Sequence, residues 1–258
     1  MIGLQAERLE STGPAETGRM HDMRAETKVD APVMIAIPGG RFWMGRGDQR
    51  PDEAPAHEVV VAGFLAARTP VLNREYARFV AATGVERPEF ASEERFAHAD
   101  RPAVGISWHD AVAYCRWLSD TTGKRYRLPT EAEREWAALG GRDGADWAWA
   151  GSMEAHPAFA AIAGLNEPHA PTEACANGYG LLCMAENVHE WCADWYAKDW
   201  YERSPASRPS GPQEGKRRVS RGGSWRHSTK FTRVTARASL DPSFRYNDFG
   251  FRVYADGE

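Results

Sequence analysis

From Val33 onward the chain alternates short apolar runs with glycines. Residues 33–45, VMIAIPGGRFWMG, predict a strand, a Gly-Gly turn and a second strand, that is, a hairpin. HEVVVAGF, residues 57–64, reads as a further strand of β-branched residues with a glycine stop. The period then lengthens to that of a helix. Tyr76, Phe79 and Val80 form the apolar face of a helix over Asn73–Ala82, with Asn73 as its N-cap and Gly84 just past its end. A second helix follows Ser107. Ser107 and Asp110 make a capping box, and Val112, Cys115 and Leu118 form the buried stripe. A third follows Thr130, which pairs with Glu133 in the T-x-x-E box and ends at Gly140-Gly141. Beyond Gly141 the regular patterns shorten. Strand-like pieces recur at WCADWY, RRVSRGGSW, TRVTARAS and FGFRVYA, separated by Gly, Pro, Asn and Trp. Residues 1–31 are polar and without periodicity, which predicts a flexible tail before one domain over 32–258.

Ten tryptophans in 258 residues imply a core, or a groove lining, built on large aromatics. The net charge of −4 carries no nucleic-acid signature. It is unevenly spread, however: from Arg203 to Arg237 there are ten Lys/Arg and a single acid, Glu214. A solvated basic face is the simpler reading, and an anion-binding surface the sharper one. Cys115, Cys175, Cys183 and Cys192 include no C-x-x-C pair, so neither a zinc knuckle nor a redox pair is indicated. The first eighteen residues lack an apolar signal core, and no run is long and apolar enough for a membrane span. The expectation is a cytoplasmic protein with four free thiols, bound to neither membrane nor nucleic acid.

Several phrases then match one family in order and spacing. They are RFWMG, DEAPAHEVVVAGF, TPVLNREYARFVAATG, SWHDAVAYCRWLSDTTGKRYRLPTEAEREWA, NGYGL, ENVHEWCADWY, RVSRGGSW and FGFRV. Over Val33–Tyr254 the chain resembles the formylglycine-generating, or sulfatase-modifying factor, enzymes. The resemblance implies an α+β, elaborated C-type-lectin-like fold with little regular secondary structure. It does not imply one activity. Relatives include formylglycine-generating oxidases that use oxygen and copper, ergothioneine sulfoxide synthases, a pyoverdine-maturation oxidase, and members that only display a binding surface.

The departures from the family pattern narrow this range. The formylglycine enzymes carry two copper-binding cysteines shortly after the G-G-S motif, where soft thiolates suit Cu(I). Here Gly222-Gly223-Ser224 is followed by Trp225, Arg226, His227 and then no cysteine through Thr232. His227 stands at the first cysteine position and Thr232 near the second, so formylglycine generation by that mechanism is not expected. The family's calcium sites also look altered. Cys183 replaces an Asn or Asp, Glu186 replaces a Gly, Glu190 is kept, and Ala161 occupies an expected Asn. Calcium requires hard oxygen ligands. The sulfoxide synthases place their iron-binding histidines in a separate helical domain, for which this chain has no room, and that activity is not expected either.

By the resemblance, His227, Thr232 and Ser224 are the candidate catalytic residues. Trp225, Arg226, Arg233 and His189 are the candidate substrate contacts, and His227 with His189 the candidate metal pair. Imidazole suits iron, copper or zinc, and iron or copper is the expected metal if one is bound. Each assignment has a plainer rival. A loop histidine is more often solvated than ligating, and Trp225 can pack as readily as it can floor a groove. Glu190, Trp191, Trp195 and Cys192 read as structural, with Glu190 bonding backbone. His57 reads as a hydrogen-bonded structural histidine, and Arg252 as a buried arginine bonding several carbonyls. Two functions stay open: an oxygen- and metal-dependent oxidoreductase acting on a peptide or small metabolite, and a non-catalytic binding or accessory protein using the same groove. The oligomeric state is not legible.

Overall fold

The structure is a computed structural model that describes residues 30–149, 166–227 and 231–257. Residues 1–29 of the expected tail, together with His156 and Ala161, lie outside the described residues. Among the described residues, ten short strands and four helices are arranged around three sheets. The first sheet has the order β1-β4-β10-β5, with β1 at Met34–Ile37, β4 at Phe64–Ala67, β5 at Tyr126–Arg127 and β10 at Tyr254–Asp256. β2 (Gly40–Met44) and β3 (His57–Val61) form a two-stranded ribbon. The third sheet has the order β8-β7-β6-β9, with β6 at His189–Trp195, β7 at Arg218–Arg221, β8 at Arg237–Leu240 and β9 at Phe249–Gly250.

The helices begin and end where local chemistry dictates. α3 (Trp108–Thr122) is capped by Ser107, and α4 (Glu131–Leu139) by Thr130. In each case the cap oxygen accepts from the N3 amide, and the N3 carboxylate accepts from the cap amide. Gly123 and Gly140 close them in the left-handed conformation that glycine adopts without steric cost. α1 (Asn73–Thr83) starts one residue off the expected frame. Leu72 holds the cap position and Asn73 is the first helical residue. The Asn73 amide instead donates to Phe96 O and His98 O, pinning the loop before α3, and Glu75 accepts from the Leu72 amide. α2 is a single turn at Glu94–Ala97.

The expected hairpin over residues 33–45 does not form. β1 pairs with β4, while β2 pairs with β3. The Gly39-Gly40 turn carries the chain from one sheet to the next, and it does so against Gly63. A Cβ on Gly39 would lie 2.7 Å from Gly63 N. The turn signal was local, whereas pairing was decided by burial elsewhere.

The basic stretch is divided: Arg203, Arg208, Lys216, Arg217 and Arg226 are exposed, the solvated face expected, while others turn inward. Arg221, Arg233 and Arg237 are buried. Arg237 clamps Glu131 in bidentate fashion at 2.7 and 2.9 Å, and Arg221 bonds Glu135 and lies 3.0 Å from Glu131. Arg218 stacks between Trp108 and Trp195. Also from α4, Arg134 bonds Glu190 at 2.7 Å, and Arg252 bonds the same carboxylate at 2.8 Å. Glu190 therefore pairs with two guanidiniums instead of bonding backbone. Arg252 does hold the carbonyls of Ala67, Arg68 and Leu182, the role expected of it. Burial alone would raise the Glu190 pKa, but the two arginines overcome it and hold the carboxyl below the usual range. The network locks α4, β6 and the strand entry at residue 252 together, and so fixes the start of β6, where His189 lies.

Candidate functional site

His189 opens β6 and is buried against the ring of Phe249, 4.7 Å between centroids. Its amide donates to Asp248 O at 2.9 Å, because the short parallel pairing of β6 with β9 carries residue 248 alongside it. β7 ends at Arg221, and Gly222 and Gly223, both at positive φ, turn the chain back over the end of β6. Glycine is required there. A Cβ on Gly222 would sit 2.8 Å from the Arg134 guanidinium, and one on Gly223 would sit 2.7 Å from Phe231 O. The turn places Ser224 and His227 next to His189 and Asp248.

His189 Nε2 lies 2.9 Å from His227 Nδ1, and that nitrogen is 3.1 Å from Ser224 Oγ. Ser224 Oγ donates to Asp248 Oδ2 at 2.8 Å. One ligand atom from each of His189, His227 and Asp248 lies within 4.8 Å of the others. With the serine proton directed to Asp248, His227 Nδ1–H is left facing the serine oxygen and the His189 lone pair. Burial, with His227, Arg134 and Arg226 nearby, pulls the His189 pKa down to about 3. Burial also lowers His227, although Asp248 opposes it and Arg226 adds to it. Both rings are therefore neutral at pH 7, the form that ligates metals. His227 and Arg226 are exposed, so the cluster opens to solvent on one side. Arg226 bonds Asn247 at 3.0 Å, and its guanidinium lies 3.7 Å from Asp248 Oδ1.

The structure thus brings together His189, His227, Ser224 and Arg226. Arg233 is not a substrate contact: it is buried and clamped on Glu53 at 2.7 Å through both terminal nitrogens, with Thr235 bonding the same carboxylate. Its charge is thus taken up inside the fold by Glu53, and its Nε is buried away from solvent. Thr232 is buried, with its methyl packed over Gly223. Trp225 is half-buried and packs against the cluster of Phe96, Val104 and Val188. His57 Nδ1 bonds Pro55 O at 3.1 Å, the structural role expected. All four cysteines are buried free thiols. Asp248 was missed by the sequence reading. It lies 21 residues after His227 in no spacing motif, and only the β6–β9 pairing reveals it. No helix among the described residues is long and apolar enough to cross a membrane.

An α+β fold of short strands and few helices, with a G-G-S turn delivering side chains to the end of a buried strand, defines a class of protein, and comparison with known proteins agrees. The model of the sulfatase-modifying factor enzyme 1-like domain matches residues 19–256, and the chain belongs to that family. Its C-type-lectin-like character is consistent with this family. Among relatives, the formylglycine-generating enzyme of Thermomonospora curvata is 36% identical over 290 residues, covering 86% of this chain and 93% of that enzyme. The serine/threonine-protein kinase Pkn1 of Chlamydia trachomatis is 34% identical over 243 residues, but the chain spans only 38% of that kinase's length. Among solved structures, PvdO from Pseudomonas aeruginosa superposes with a TM-score of 0.76 at 30% identity, covering 88% of this chain and 95% of PvdO.

Proposed function

We propose that the chain is a metal- and oxygen-dependent oxidoreductase whose centre is His189, His227 and Asp248, without formylglycine-generating activity. The observation that carries this is the donor set. Two neutral imidazoles and one carboxylate converge within 4.8 Å at a surface-open position. Two histidines and one carboxylate with open positions are the ligand pattern of non-haem ferrous oxygenases. His189 is held from behind by Phe249 and by its own amide, Asp248 is held by Ser224, and His227 bonds both His189 and Ser224. When bound, a ferrous ion would supply the site for oxygen reduction coupled to substrate oxidation. The chain's own contribution is to exclude water on the buried side, to orient Asp248 through Ser224, and to present Arg226 as a fixed positive charge for an anionic group of a peptide or small metabolite.

The experiment is anaerobic loading with ferrous iron followed by nitric oxide. A half-integer-spin nitrosyl signal at about one iron per chain is expected, and His189→Ala should abolish it. Retention of the signal in that variant would remove the proposed centre. A second reading, binding without turnover, is favoured by one observation: Ser224, Asp248, His227 and His189 already satisfy one another as a hydrogen-bonded chain. Failure to bind iron or copper in any state would leave that reading in place.

A related expectation concerns the missing cysteines. Incubated with copper, reductant and a peptide carrying a sulfatase motif, the protein is expected to leave the peptide cysteine intact. Conversion to the aldehyde above a no-enzyme control, read by peptide mass, would contradict it.

A further inference from the structure

About the loop that precedes β6, a second cluster forms from residues that the triad does not use. One ligand atom from each of His169, Cys175, Cys183 and Glu186 lies within 4.8 Å of the others, and the two cysteines and the glutamate are buried. We propose that these four residues form a closed zinc site, distinct from the His189–His227–Asp248 centre and independent of its function. The soft and borderline donors set the class of metal. Two sulfurs and an imidazole suit zinc, and they do not suit calcium, which takes six to eight oxygens.

Three features show that the cluster is built for a ligand. First, the His169 tautomer is fixed. Nδ1 lies 3.2 Å from the Ala170 carbonyl, which can only accept, so the ring proton is on Nδ1 and Nε2 carries a bare lone pair. That nitrogen is buried, has no hydrogen-bond partner among the described residues, and faces the cluster, 3.9 Å from Glu186 Oε1. A carbonyl that fixes the ligand tautomer is the usual outer partner of a metal-bound histidine. Asn187 clamps the same residue by bonding the His169 amide and carbonyl. Second, the sulfurs are brought together by a rigid turn. Asn177 Oδ1 accepts from the amides of Tyr179 and Leu181, Ala176 bridges Leu182, and Cys183 N donates to Cys175 O at 3.1 Å. Third, Cys183 and Glu186 are two of the three non-glycine residues at positive φ among the described residues, at 54° and 70°. Side chains rarely occupy that region unless the surroundings over-determine them, and such residues gather at ligand clamps. A tetrahedral zinc needs ligand atoms roughly 3.3–3.8 Å apart, from metal–ligand distances of about 2.0–2.3 Å. The His169–Glu186 pair, at 3.9 Å, is already close to this.

The test uses the full chain purified without chelators. About one zinc per chain is expected to survive dialysis, and it should be released stoichiometrically when an organomercurial blocks the thiols of the wild-type protein. Replacement by cobalt should give a thiolate-to-metal charge-transfer band and intense tetrahedral visible absorption. Cys183→Ser should lose both, while His227→Ala, which touches only the other centre, should keep them. Because Cys183→Ser can fail to fold, the organomercurial release and the cobalt spectrum of wild-type protein stand as readouts that need no variant. A Cys175–Cys183 disulfide in mass mapping, cobalt absorption without a thiolate band, or loss of the zinc in His227→Ala would each overturn the proposal.

Discussion

Replacing Glu190 with glutamine is expected to cost about 3–5 kcal/mol of folding stability, the range for breaking a buried charge pair by removing one partner. Glu190 is fully buried, and both Arg134 and Arg252 aim their guanidiniums at its carboxylate. Glutamine keeps the volume but leaves two buried cations with a neutral acceptor. For a chain of this size the melting temperature should fall by roughly 10 °C, whereas Asp199→Asn, at the exposed i,i+4 pair with Arg203, should shift it hardly at all. The pH dependence has a definite sign. The folded-state pKa of Glu190 is lowered, so its contribution is present above the unfolded value and is lost as pH falls through the folded value. The wild type's advantage over Glu190→Gln should therefore begin to shrink only as pH falls below the ordinary glutamate range, about 4.3, and vanish below the lowered folded value. A variant as stable as wild type at pH 7 would show that the network is not integral to the fold.

The second large effect concerns metal affinity. Asp248→Ala removes the carboxylate of the proposed triad, and Ser224→Ala removes the hydroxyl that orients it. Loss of an outer-shell partner typically weakens metal binding by about 10–100-fold. Ser224→Ala is expected in that range and Asp248→Ala beyond it, with unchanged circular dichroism in both. Arg226→Ala should tighten ferrous binding, since it removes a positive charge 3.7 Å from Asp248 Oδ1. Titration of ferrous iron under anaerobic conditions reads all three. Equal affinities for Asp248→Ala and wild type would exclude the carboxylate from the centre.

What the sequence made legible was local. Ser107–Asp110 and Thr130–Glu133 satisfy helix ends within four residues, so both boxes could be read directly. The G-G-S turn and the pairing of His189 with His227 were reached through long family motifs. What failed was non-local. Glu131, Arg134 and Glu135 in α4 are all buried, because their partners arrive from β6, β7 and β8. Charge alone does not distinguish a wet helix face from one neutralised by counter-ions far along the chain. Arg226 and Arg233 flank the same loop and looked equivalent. Glu53, 180 residues before Arg233, took one of them out of the site. Asp248, His169 and the Cys175–Cys183 pair follow no ligand spacing, and only folding brings them to their neighbours.

The position of β10 bears on how the chain is made. Tyr254–Asp256 lies between β4 and β5 and hydrogen-bonds to both, so these two strands are joined in the first sheet through residues synthesised about 190 and 130 positions after them. While residues beyond 250 are still inside the ribosome, β4 presents an unpaired edge between Phe64 and Ala67, and Arg252 has not yet reached Glu190. During that interval a buried carboxylate has only one of its two cations and a hydrophobic strand has an open flank, conditions that favour association with other nascent chains. Closure of the first sheet thus waits for Tyr254–Asp256, and the yield of native protein should depend on how well that interval is shielded by chaperones.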